Sequence, residues 1–116
     1  GLNLEFKLYE NSPEKVVAPV LALLQKHWKD FDKLIISSFD QAALEYCHTH
    51  QPQLQLGKLY DEIPENWLAQ MRRINAVSCH CNYSSFRRLK WLLKVLLPTL
   101  LLDFNWSLFA GCTFQF

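Results

Sequence analysis

Asn3-Leu4-Glu5-Phe6-Lys7 alternates polar and apolar residues, the pattern of a β-strand with two unlike faces. In a strand, side chains two apart share a face, so Leu2, Leu4 and Phe6 project one way while Asn3, Glu5 and Lys7 project the other. Two environments suit such a strand. Its polar set either faces water, or lines a site in a sheet packed on both sides, where a carboxylate holds a metal and an ammonium meets an anion.

The residues that follow repeat a strand-then-helix pattern. Ser12-Pro13-Glu14 reads as an N-cap, a first-turn proline and an acidic first turn, and Val16, Val17, Val20, Leu23 and Leu24 then give an amphipathic helix to about Trp28. Pro19 lies inside it, where it kinks the helix or marks a tighter first part. Leu34-Ile35-Ile36-Ser37-Ser38-Phe39 is a second strand, and Asp40 caps a helix carrying Ala42, Ala43, Leu44 and Tyr46. Gln55 to Tyr60 is a third strand, and Pro64-Glu65 opens a helix through Trp67, Leu68 and Met71. Ala76 to Asn82 is a fourth strand; Phe86 to Leu97 reads as helical and Thr99 to Leu102 as a fifth strand. Such a series predicts an α/β fold with a parallel sheet covered by helices, either open or closed into a barrel.

Composition limits the partners. A chain of 116 residues, half of them apolar, is one domain or less and has enough apolar side chains for a core. Its net charge of +1 supplies no field that would steer it to nucleic acid. Cys47, Cys79, Cys81 and Cys112 lack the spacing of a secreted disulfide domain, so a reduced cytoplasmic compartment is expected.

Cys79-His80-Cys81 invites a zinc reading, but in a strand the two cysteines share one face and His80 points to the other, so the three diverge. Val77, Cys79 and Cys81 instead read as small apolar groups under helices. Ser78, His80 and Asn82 then form a polar row like Asn3, Glu5 and Lys7. In parallel strands both rows end near the C-terminal edge, where α/β barrels place their sites. Asp61, just past the third strand, reads as an outer group at the same edge. The tryptophans read as packing residues, and His27, His48 and His50 as solvated. Lys58 stands where an apolar residue would be usual.

Asn3-Leu4-Glu5-Phe6-Lys7, Ile36-Ser37-Ser38-Phe39-Asp40 with Ala43-Leu44-Glu45, Leu56-Gly57 with Leu59-Tyr60-Asp61, and Val77-Ser78-Cys79-His80-Cys81-Asn82 resemble successive strands of the bacterial glycerophosphodiester phosphodiesterase family, in order and spacing, from residue 2 to about residue 83. The resemblance implies a TIM (β/α)8 barrel whose mouth holds a divalent cation, commonly Ca2+ or Mg2+, and which hydrolyses glycerophosphodiesters to glycerol 3-phosphate and an alcohol. By that resemblance Glu5 is a metal ligand, Lys7 stands beside the substrate phosphate, and His80 lines the mouth. The family's two acid–base histidines and two further metal carboxylates belong to segments preceding the one that matches Gly1. The 116 residues therefore correspond to the C-terminal half of a barrel whose whole form runs to about 250 residues. The other half is an implied partner, and the chain alone is expected to be inactive. The alternative is a non-catalytic barrel remnant or interaction module.

Residues 84–116 depart from the family. Arg87 to Leu102 is too apolar for a surface helix of a barrel, yet Lys94, Pro98 and Asp103 interrupt it short of the about 20 apolar residues a spanning helix needs. A degenerate C-terminus is the preferred reading. Membrane contact through residues 86–104, with Arg87, Arg88, Lys90 and Lys94 near anionic lipid, is the alternative.

Overall fold

The computed structural model describes residues 1–81 together with Ser84 and Arg87. Asn82, the helix and strand read between Phe86 and Leu102, the segment considered for lipid contact, Trp91, Trp106 and Cys112 lie outside the described residues. Among the described residues four strands, β1 (Leu2–Phe6), β2 (Leu34–Ser38), β3 (Gln55–Tyr60) and β4 (Ser78–Cys81), alternate with the helices α1 (Pro13–His27), α2 (Gln41–His50) and α3 (Trp67–Arg73). The strands form one parallel sheet in the order β1-β2-β3-β4, so each helix is a crossover between neighbours. The alternation of strand and helix expected from the sequence is what is found. No helix among the described residues is long and apolar enough to cross a membrane.

One face of the sheet makes the core. Leu34 and Ile36 of β2, Leu56 of β3 and Cys79 of β4 are buried with Val17, Leu21 and Leu24 of α1, Ala43, Leu44 and Cys47 of α2, and Trp67 and Met71 of α3. Each large aliphatic side chain so enclosed contributes about 1.5–3 kcal/mol. At the edge of the sheet this cover thins: Leu2 is 43% exposed, although its alternation places it with the buried set. Val77, expected under the helices, is also exposed because β4 begins only at Ser78.

Helix ends sit close to the predicted positions but are held differently. Ser12 and Asp40 occupy the N-cap positions of α1 and α2 without a capping side-chain hydrogen bond. Asp40 instead turns its carboxylate to the Leu8 N–H, at 3.4 Å. Pro19 is accommodated within α1. α3 starts at Trp67 rather than Pro64, whose carbonyl accepts the Trp67 N–H at 3.1 Å in a preceding turn. Its other end is closed by Asn75 at φ 50°, with Asn75 N–H on the Arg72 carbonyl and Ala76 N–H on the Met71 carbonyl. This is a Schellman motif, which turns the chain toward β4.

Candidate functional site

Strand register sorts the second face of the sheet residue by residue. Glu5 pairs with Ser37, Ser37 with Gly57, and Gly57 with Ser78, so these four make one layer across the sheet. Asn3, Ile35 and Gln55 form the layer toward the N-terminal edge. Leu59 and His80 begin the layer toward the C-terminal edge, where Lys7 and Phe39 directly follow the ends of β1 and β2. The polar rows of the first and fourth strands thus share a face opposite the core. Cys79 and Cys81 lie on the core side with His80 on the other, as strand geometry requires, so the three do not converge on one metal ion.

Hydrogen bonds tie this face together. Ser37 Oγ donates to Asn3 Oδ1 at 2.9 Å, joining β1 to β2. Ser78 Oγ and His80 Nε2 are 3.1 Å apart along β4. Gly57 leaves the space for that pair: a Cβ there would stand 2.7 Å from Ser78 Oγ and 3.5 Å from His80 Nε2. Burial lowers the pKa of His80 below the ordinary 6.5, with a smaller opposing effect from Cys81, so its imidazole is neutral at pH 7. Ser37 and Gly57 were not singled out as site residues by sequence, although the polar Ser37 after Ile35 on one face was a usable signal.

Glu5 projects from β1 and Lys7 follows the strand's last residue at the exposed rim, their charged groups 3.7 Å apart. A pair so exposed is worth little in stability. Its significance is chemical, since it places a carboxylate and an ammonium at one strand end. Calcium and magnesium take about six or more oxygen ligands. Among the described residues no group of three His, Cys, Asp or Glu converges, so Glu5 by itself does not make a metal site. His27 ends α1 and His48 and His50 lie in the last turn of α2, at the N-terminal edge of the sheet and away from this mouth. Asp61 follows β3 directly and is exposed at the C-terminal edge.

No protein-family model matches the chain, and no curated protein matches it significantly. A solved structure does: a phosphodiesterase of Oleispira antarctica in complex with the product sn-glycerol-3-phosphate, at 27% identity and a TM-score of 0.69. The match covers 81% of this chain and 39% of that one, so the chain spans about two fifths of the phosphodiesterase it resembles. Four parallel strands alternating with helices thus form a partial TIM-barrel-like fold, similar in structure to a phosphodiesterase.

Proposed function

We propose that the chain is the C-terminal half of a glycerophosphodiester phosphodiesterase-type barrel. In the complete domain Glu5 is one ligand of a divalent cation, Lys7 stands beside the substrate phosphate, and His80 lines the mouth. The observation that carries this reading is that Glu5 and His80 share one face of a sheet that resembles a phosphodiesterase, with the Lys7 ammonium 3.7 Å from Glu5. A phosphodiester is an anion that repels nucleophiles, and an ammonium at the rim offsets that charge on binding. A neutral His80, hydrogen-bonded to Ser78, orients a polar substrate group without adding charge.

Hydrolysis also needs an acid for the leaving alkoxide and a base for the attacking group. His27, His48 and His50 are away from the mouth, and Glu5 lacks fellow metal ligands among the described residues. The 116-residue chain alone therefore binds at most weakly and does not turn over. The ion pair between Glu5 and Lys7 also suits a non-catalytic remnant or interaction module, since it gives the carboxylate a counter-charge without a metal ion.

Two measurements on the purified chain test this. With glycerophosphocholine and Ca2+ or Mg2+, the expected release of glycerol 3-phosphate is no faster than the blank. Metal-dependent release that disappears in Glu5→Gln would overturn the inactivity. Adding glycerol 3-phosphate at millimolar concentration is expected to shift the backbone resonances of Lys7, Leu59 and His80. Shifts confined to the helices, or none, would remove the mouth as a phosphate site.

A further inference from the structure

Lys58 is 3% exposed on the helix side of β3, between Leu56 and Tyr60. An ammonium enclosed there requires fixed acceptors. Its Nζ donates to the carbonyl of Phe39 at 2.6 Å and to that of Leu59 at 2.9 Å, and lies 4.3 Å from the centre of the Tyr60 ring. The Phe39 carbonyl belongs to the same peptide group as the Asp40 N–H, which donates to Ser38 Oγ at 3.0 Å. That peptide is therefore gripped at both ends.

The grip extends across three strands. Ser38 Oγ donates to the Phe6 carbonyl at 2.7 Å, and the Asp40 carboxylate accepts from the Leu8 N–H. The ends of β1, β2 and β3 are thus tied from behind the mouth, and Phe39, 47% exposed, stands at the rim they form. We propose that Lys58 is a positioning residue whose ammonium fixes the Phe39–Asp40 peptide and through it the rim at the ends of β1 and β2.

A methionine would fill much the same volume beside Leu56 and Tyr60, but would leave the Phe39 carbonyl without this donor. Burial pulls the Lys58 pKa below the ordinary 10.5, against the opposing pull of Asp40 from the cap of α2 and of Cys79 from β4. The ring of Tyr60, on Lys58's own strand, also faces the ammonium. The arrangement stands whether or not the mouth binds a phosphodiester.

Carbon and nitrogen NMR of the labelled chain, titrated from neutral to alkaline pH, tests the proposal. The Lys58 side chain is expected to titrate below 10.5, with the Phe39 carbonyl carbon and the Asp40 amide nitrogen moving at the same midpoint while Leu4 and Ile36 stay still. In Lys58→Met that shared midpoint vanishes, and Asp40 and Leu8 amide exchange speeds about tenfold relative to Leu4 and Ile36. A Phe39 carbonyl that ignores the Lys58 titration overturns the proposal. So does a Lys58→Met chain in which all four amides change together. Should that variant fail to fold, the wild-type titration decides alone.

Discussion

His80 holds its ring on the mouth face, half-buried beside Ser78, and burial sets its pKa below 6.5. Between the folded-state pKa and 6.5 the unfolded chain binds more protons than the folded one. His80 therefore makes stability fall as pH drops through that window and adds no further loss below it. The expected outcome is a urea midpoint that falls between pH 7.5 and 5.5, with a smaller fall in His80→Gln. His27, His48 and His50 are common to both proteins, so the difference belongs to His80. Equal pH slopes in the two would show that this imidazole is not desolvated in solution.

Strands β3 and β4 leave no room for a side chain where Gly57 faces Ser78. Gly57→Ala drives a methyl to 2.7 Å from Ser78 Oγ, so the hydroxyl must leave His80, and a loss of about 1–3 kcal/mol is expected in chemical denaturation. Removing the hydroxyl as well, in Gly57→Ala with Ser78→Ala, should recover part of that loss; strictly additive losses would contradict the clash. This contact shows what the sequence could and could not disclose. The alternation around Glu5 and around His80 revealed the strands and their polar face, because a period of two survives in sequence. The helix order was equally legible from apolar spacing and caps. Pro64 was a misleading start for α3, since a proline suits a turn as well as a first helical position. Lys58 was legible as a lysine at an apolar position, but what receives its ammonium was not. Its acceptors are backbone carbonyls of Phe39 and Leu59, and backbone atoms leave no residue-specific trace.

The core lies on the helix side of the sheet and does not depend on the mouth. Cys47, Cys79 and Cys81 are thiols enclosed in that core, and burial pushes the Cys47 thiol up to about 12. Alkylation at pH 7.5 followed by peptide mass analysis should find Cys47 and Cys79 modified at least about 100-fold more slowly than in denaturant, since the reactive form is the exposed thiolate. Rates within about tenfold of the denatured chain would show that residues 1–81 do not hold together as one unit. Among the described residues β1 pairs with β2 and with no other strand, and its exposed Leu2 marks where the sheet's cover ends. The division of the sheet into two chemically opposite faces also makes the fold self-proofreading. A one-residue slip of β3 would swing the Lys58 ammonium into the mouth and put Gly57, which fills nothing, beneath the helices. Shifts by two residues keep the faces but separate Ser37 from Asn3 or Lys58 from the Phe39 carbonyl. Odd errors are rejected by the core and even errors by hydrogen bonds, leaving one alignment that satisfies both.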